Sequence, residues 1–326
     1  MQSGSGIPAG NPFHRAIYLT GPTASGKSAV GVLLARQLSA EIIALDSMTL
    51  YRGMDIGTAK PTMAERAGVP HHLIDVLDPW EKASVADYRR WALAATEEIE
   101  ARGKRVLFVG GTALYLKALL RGLFEGPGAD AAIRGRLEEE ADAAGTEALH
   151  DRLARLDPPT AARLHPRDRR RIVRALEVIE LSGEAMSRLQ AQHDRPAPAS
   201  TLVFALARPR PDLYDRINRR VVAMFDAGLV EEVRRLQSAP RPLSSVAAQG
   251  VGYREVIEML AGKASLPLTI DLVQTRSRQF AKRQGTWFRG LAEVRPWPVA
   301  PEETAESVAN RLAVEIAKRR EDRQIR

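Results

Sequence analysis

Residues 21–28, Gly21-Pro22-Thr23-Ala24-Ser25-Gly26-Lys27-Ser28, fill the pattern G-x-x-x-x-G-K-[ST] without a gap. That pattern demands a strand before it and a helix after it. Ala16-Ile17-Tyr18-Leu19-Thr20 is an apolar run suited to a buried parallel strand, and Ala29 to Leu38 carries apolar residues at helical spacing. In such a loop the glycines turn backbone N–H groups onto a phosphate, Lys27 adds a point charge, Ser28 can hold a divalent ion, and the helix dipole favours an anion. The stretch predicts a phosphate or diphosphate site; nothing in it specifies ATP.

Glu41-Ile42-Ile43-Ala44-Leu45 reads as the next strand, with Asp46 at its carboxyl end. In an open α/β sheet this end faces the ligand. A carboxylate there serves as a general base or organises a metal, and it serves equally well as a turn or N-cap residue. After it, Ser47-Met48-Thr49-Leu50-Tyr51 through Pro61 suits a loop that wraps a ligand rather than a core element. Val69 to Val76 looks like a strand, on which His71 and His72 point to opposite faces, one buried and one exposed.

A helix is expected over 84–102 with Ser84 as its N-cap, then a buried strand Arg105–Val109 ending in Gly110-Gly111-Thr112. An ATP-hydrolysing P-loop protein usually carries an acid at the end of such a strand, so the glycines count against an ATPase. From 124 to 199 strand patterns vanish and an all-helical insertion is predicted, returning through a Pro/Ala-rich linker at Gln190–Ala199. Its helix Asp168–Leu181 places Ile172, Leu176 and Ile179 on one face and Arg167, Arg170, Arg171 and Arg174 on the other. That basic face is either solvated or in contact with a phosphate backbone. The sheet resumes at Thr201–Leu206, and Asp212 is expected to cap a helix carrying Arg216, Arg219 and Arg220, one of which could reach a diphosphate. A further glycine-flanked turn, Gln249 to Arg254, leads into another helix. Thr275 to Arg289 interleaves Arg276, Arg278, Gln279, Lys282, Arg283 and Gln284 with Phe280, Trp287 and Phe288, a mixture suited to stacking and hydrogen bonding with unpaired bases.

The expected architecture is thus α/β: a P-loop NTPase-like parallel sheet core over 13–123 and 200–316, with the helical insertion at 124–199. Residues 1–12 are expected to be a flexible tail, and 317–326 a charged tail that frays. With 326 residues there is room for about two domains and a sizeable core. The balance of 48 Lys and Arg against 40 Asp and Glu leaves a formal charge of +8, which invites an anionic partner such as nucleic acid. There is no cysteine, which excludes disulfides, thiolate zinc sites and cysteine nucleophiles. No apolar run approaches transmembrane length, so a cytoplasmic protein without a membrane partner is expected.

Taken together, these stretches resemble the bacterial tRNA dimethylallyltransferases, also called tRNA isopentenyltransferases. The resemblance rests on Gly21–Ser28 (GPTASGKS), Asp46-Ser47-Met48 with Tyr51–Pro61 (DSM..YRGMDIGTAKP), Pro70–Asp75 (PHHLID), Gly110–Tyr115 (GGTALY), Arg174–Glu177 (RALE), Gly252–Glu255 (GYRE) and Lys282–Arg289 (KRQGTWFR). It implies transfer of a dimethylallyl group from dimethylallyl diphosphate to N6 of the adenine at position 37, beside the anticodon, in tRNAs that read codons starting with U. The phosphate loop, Gly21 to Ser28, would hold the diphosphate, with Mg2+ on Ser28. Asp46 would be the base on N6, and Lys27 with Arg216, the favoured helix-borne arginine, would stabilise the leaving group. The target adenine must be flipped from its stack. The resemblance places contacts to the tRNA anticodon stem-loop at Asp46, Ser47, Met48, Thr49, Thr112, Arg134, Arg170, Arg171, Arg174, Arg276, Gln279, Lys282, Arg283 and Thr286, and a monomer is expected. Thr49 departs from the Gln common in the pattern, and Gly285 from a larger apolar residue. A P-loop small-molecule kinase is the main rival, but it gives no reason for the helix carrying Trp287.

Overall fold

The computed structural model describes residues 11–122, 126–191 and 196–324. Six strands, β1 (Ile17–Thr20), β2 (Ala40–Ala44), β3 (His71–His72), β4 (Arg105–Val109), β5 (Leu202–Ala207) and β6 (Val294–Pro298), form one sheet. Their order is β3-β2-β4-β1-β5-β6 and every pairing is parallel. Parallel strands need crossovers on both faces, so central strands are buried on both sides and read as unbroken apolar runs. That is why β1, β2, β4 and β5 were legible.

The chain divides into two compact units. The first ends at Leu120 and resumes at Pro196; the second is Arg121–Arg195. In the first, α1 (Lys27–Leu38), α2 (Met63–Arg66), α3 (Val85–Ala101) and α4 (Ala113–Arg121) punctuate the first four strands. The second unit holds α5 (Ala131–Ala144), α6 (Thr146–Leu156), α7 (Pro158–Ala161), α8 (Arg169–Ser182) and α9 (Met186–Ala191), packed on Leu137, Leu149, Leu153, Ile172 and Leu176. The first unit closes with α10 (Arg210–Asp226), α11 (Leu229–Gln237), α12 (Tyr253–Leu260), α13 (Leu266–Arg289) and α14 (Ala305–Gln324). One sheet face packs through Ile43, Val106 and Phe108 against Tyr88 and Leu116, and the other through Ile42, Leu107 and Phe204 against Leu34 and Leu312.

Several sequence expectations are corrected. The strand foreseen at Val69–Val76 shrinks to His71–His72 because Leu73 and Asp75 adopt positive φ, 59° and 57°, which no strand accommodates. Both histidines are half-buried rather than split between core and solvent. The stretch after Asp46 is irregular, yet it buries Leu50, Tyr51 and Met54 in the core. Asp212 does not cap its helix: α10 begins at Arg210 after Pro209, and Asp212 pairs from the first turn with Arg208 at 3.1 Å. The Thr275 helix starts at Leu266 with Pro267 in its first turn. The charged tail after Ala317 continues α14 to Gln324, anchored by Val308, Leu312 and Ile316, and β6 was missed because its two prolines mask an edge strand. Asn11 is no tail residue either, since its Nδ2 donates to Leu119 O and Leu120 O at 2.7 and 2.9 Å. Residues 1–10 and 325–326 of the expected tails, residue 123 of the expected core, and 124–125 and 192–195 of the expected insertion and its linker lie outside the described residues.

Candidate functional site

The carboxyl ends of β1, β2 and β4 meet at one cleft, lined among others by Thr23, Lys27, Ser28, Asp46, Thr49 and Arg220. This is the crevice at which an open parallel sheet binds its ligand. The phosphate loop joins β1 to α1, and Ala24 within it sits at φ 63°, a left-handed conformation of the kind that forms anion nests.

The loop is braced from two helices. Arg208, in the link between β5 and α10, donates from Nε to Ser25 O at 3.0 Å; from α10, Arg216 Nε donates to Ala24 O at 3.0 Å, and the Arg220 guanidinium bonds Thr23 Oγ1. From α13, buried Gln284 takes both roles of its amide: Oε1 accepts Thr23 N–H at 2.8 Å and Nε2 donates to Gly111 O at 2.8 Å. The KRQ of the sequence motif is thereby a strap between the phosphate loop and the end of β4. Gly110 and Gly111 are there for space. A Cβ on Gly110 would lie 2.1 Å from Leu45 O, and one on Gly111 would lie 2.5 Å from Gln284 Nε2.

Asp46 is held by a turn and still opens to the cleft. Its Oδ1 accepts Met48 N–H at 2.9 Å, and Ser47 N–H donates to Thr112 Oγ1 at 3.1 Å. The turn role foreseen for Asp46 is thus seen, and it leaves the second carboxylate oxygen uncommitted by that bond. Burial pushes the Lys27 ammonium down to about 8, with Asp46 pulling it back up and Arg220 pressing it further down. Burial likewise lowers Arg216 and Arg220, with Asp46 opposing the shift at Arg220. Cations crowd this end of the sheet with Asp46 as the carboxylate acting on both Lys27 and Arg220. Such a site gains by taking up an anion. Of the three α10 arginines singled out from sequence, Arg220 lines the cleft, Arg216 bonds the loop backbone at Ala24, and Arg219 pairs with Asp215 on the surface.

The opposite wall is the loop from Tyr51 to Pro61, and two buried charges shape it. Lys60 Nζ bonds Tyr51 O at 2.8 Å and pairs with Asp55 and Asp75, each at 2.5 Å. Glu232 of α11, 2% exposed, accepts the N–H groups of Asp55, Ile56 and Gly57 at 2.9–3.2 Å and the Tyr253 hydroxyl at 2.6 Å. Sequence reading missed Glu232, since nothing marks one Glu in an amphipathic helix as buried; the cue was Gly57, where a Cβ would meet the Tyr253 ring at 2.5 Å.

The other residues singled out by sequence lie in three settings. Thr49 lines the cleft and is buried, while half-buried Ser47, Met48 and Thr112 belong to the turn at Asp46 through the bonds of Met48 N–H to Asp46 and of Ser47 N–H to Thr112. On α13, Gln279, Lys282, Arg283 and Thr286 are exposed beside Phe280 and Trp287, with Arg283 over the Phe280 ring at 5.9 Å, while Arg276 pairs with buried Glu255 at 2.6 Å. In the second unit the basic residues have acidic partners: Arg134 and Arg174 both pair with fully buried Glu177, at 2.7 and 2.8 Å, and Arg171 pairs with Asp168 and Arg167 with Glu147. Arg170 carries no ion pair among the described residues.

Among the described residues no cluster of three His, Cys, Asp or Glu side chains could hold a metal, and no helix is long and apolar enough to cross a membrane. A divalent ion at the cleft would therefore rely on the Ser28 hydroxyl and on phosphate oxygens of a ligand, which is the way Mg2+ is commonly bound.

The family model described as IPP transferase matches residues 49–291. The tRNA dimethylallyltransferase of Geobacter metallireducens is 49% identical over 281 residues, 86% of this chain and 91% of that one. The enzyme of the same name from Geobacter sulfurreducens is 50% identical over 276 residues, 84% and 89% of the two chains. Among solved structures, the full-length tRNA isopentenylpyrophosphate transferase of Bacillus halodurans matches with a TM-score of 0.71 at 39% identity, covering 96% of this chain and 99% of that chain. A eukaryotic dimethylallyltransferase acting on tRNA matches with a TM-score of 0.77 at 26% identity, over 93% and 78%.

Proposed function

The chain belongs to the IPP transferase family, and from that premise we propose that it is a tRNA dimethylallyltransferase working as a cytoplasmic monomer. It moves a dimethylallyl group from dimethylallyl diphosphate to N6 of the adenine at position 37 of tRNAs that read codons starting with U. One observation carries the reading: the cleft pairs the cations Lys27 and Arg220 with one lining carboxylate, Asp46, while the β4 end offers glycines where an ATPase keeps an acid.

The N6 lone pair attacks C1 of the allyl group, and the C1–O bond breaks with its electrons on the diphosphate. An aniline-like amine is a weak nucleophile, so Asp46 takes the N6 proton as the bond forms. Oδ1 is engaged by Met48 N–H, which fixes the carboxylate and leaves its other oxygen for the proton. Lys27 and Arg220 receive the charge that develops on the leaving diphosphate. Arg216, favoured for that role from sequence, acts by holding the Ala24 carbonyl and so the shape of the loop. Mg2+ held by Ser28 would add charge neutralisation on the diphosphate. Exposed Gln279, Lys282, Arg283 and Thr286 on α13, with Arg276 beside them, contact the tRNA anticodon stem-loop together with Asp46–Thr49 and Thr112. In the second unit Arg170 supplies a phosphate contact, whereas Arg134, Arg171 and Arg174, each paired with a carboxylate, border the tRNA with their charge largely offset.

The test is transfer of label from radiolabelled dimethylallyl diphosphate with Mg2+ to unmodified tRNA, with ATP and AMP as controls. Label in tRNA, lost when the target adenine is replaced, is the expected result. Label in AMP alone points to a free-nucleotide prenyltransferase, and ATP consumption without transfer points to a kinase. Asp46→Ala should cut turnover about 10³-fold with tRNA affinity within a few-fold; surviving turnover would remove Asp46 as the base.

A further inference from the structure

One imidazole at the cleft has no part in the chemistry above. His71 of β3 pairs in register with Ile42, so its side chain emerges on the same sheet face as Ile42 and Ala44. Ile42 stands two residues, about 6.6 Å, back along the strand from Ala44 and so further from Asp46. Ala59, Ile74 and Val109 are further apolar residues of the same cleft lining. Two of the lining hydroxyls are already committed: Thr58 Oγ1 donates to Met54 O at 2.7 Å, and Thr49 Oγ1 to Asp46 O at 3.5 Å.

The tautomer of His71 follows from its partner. Nδ1 lies 2.8 Å from Val69 O, and a carbonyl only accepts, so Nδ1 carries the proton and Nε2 keeps its lone pair. No hydrogen bond to Nε2 occurs among the described residues. The neighbouring His72 shows the contrast: its Nε2 is spent on Glu41 at 2.7 Å, away from the cleft. A free acceptor in a lining shared with Ile42, Ala44, Ala59, Ile74 and Val109 matches an O–H donor on what fills the cleft, and the carbon chain of dimethylallyl diphosphate offers none.

We propose that His71 is a specificity-determining residue that accepts a hydrogen bond from a hydroxyl on the terminal carbon of the allyl chain. The enzyme then transfers 4-hydroxy-3-methylbut-2-enyl groups as well as dimethylallyl groups. This inference rests on the prenyl-transfer reading and deepens it by widening the donor class. The bond changes are unaltered: N6 bonds C1, the C1–O pair leaves on diphosphate, the N6 proton goes to Asp46, and the hydroxyl is a spectator. Sites that hydrogen-bond a substrate hydroxyl discriminate far more sharply than apolar pockets do.

The experiment measures kcat/KM on one tRNA transcript for dimethylallyl diphosphate and for (E)-4-hydroxy-3-methylbut-2-enyl diphosphate, with the wild type, His71→Leu and His71→Asn. The wild type should use the hydroxylated donor at least as well as the plain one. His71→Leu should lose about 30-fold on the hydroxylated donor and stay within about threefold on the plain one. His71→Asn, which keeps an acceptor oxygen, should recover part of the loss. A wild type at least about tenfold poorer with the hydroxylated donor overturns the inference. So does an equal loss on both donors in His71→Leu, which is what a strand-anchoring role predicts. If His71→Leu does not fold, the wild-type ratio and the Asn variant decide. Transfer of dimethylallyl alone sinks only this inference, whereas transfer of neither donor sinks the prenyl-transfer reading with it.

Discussion

Arginines crowd two regions of this molecule, and they are used in opposite ways. Around the phosphate loop, Arg216 and Arg220 bond a backbone carbonyl and a threonine hydroxyl, and burial lowers both. In the second unit Arg134, Arg136, Arg169, Arg171 and Arg174 are each matched to a carboxylate. A guanidinium bonded to a neutral acceptor keeps its whole charge for a ligand, while one beside a carboxylate has most of it cancelled nearby. Net charge alone therefore says little about where an anion is held. The same contrast runs through the buried carboxylates. Glu232 is satisfied by backbone N–H groups and a tyrosine hydroxyl, and it shapes a loop; Glu177 is satisfied by two arginines and Asp130 N–H, and it ties α5 to α8.

The sharpest break of this comparison is Arg220→Ala against Arg171→Ala. The first should lower kcat/KM about 10³-fold by removing charge where diphosphate leaves. The second, at an exposed pair, should change it by less than about threefold. Equal losses would mean that carboxylate pairing does not distinguish the two sets. Next, Glu177→Ala leaves two guanidinium groups without their buried partner and should destabilise the second unit by about 3 kcal/mol. Hydrogen exchange should show lost protection in α5 and α8 with the phosphate-loop amides unchanged.

Lys27 sharpens the contrast through pH. Its folded-state value of about 8 lies below the ordinary lysine value, so its charge destabilises the free fold below pH 8, and that penalty fades as pH rises from 8 towards 10.5. Lys27→Met should thus gain roughly 1–3 kcal/mol of thermal stability at pH 7 and little at pH 10. In the wild type, inorganic diphosphate should bind about tenfold more weakly per pH unit above 8, with proton uptake on binding visible by calorimetry in buffers of different ionisation enthalpy. The smallest effect belongs to Arg170, which has no ion pair among the described residues. Arg170→Ala should weaken tRNA binding by a few-fold and reduce its salt slope by about 1, whereas the neutralised Arg171 should leave the slope unchanged.

By itself the sequence determined the four strands β1, β2, β4 and β5 and the phosphate loop at their carboxyl edge. Central parallel strands are apolar throughout, and the phosphate loop ties its residues together over eight positions, so both survive without tertiary context. The place of Asp46 at the end of β2 followed from the same logic. Only the tertiary structure decided which arginine reaches the cleft, because Arg216 and Arg220 are four residues apart on one helix face and differ in depth alone. It also decided that Gln284 and Glu232 are buried braces, roles that arise from partners 173 to 261 and 175 to 177 residues away in the chain. The arginines of α8 read as a free basic stripe because their carboxylate partners come partly from other helices, and helical periodicity reports only on its own helix. Local pattern is written in the chain, whereas the pairing of distant charges is settled only when the fold brings them within reach.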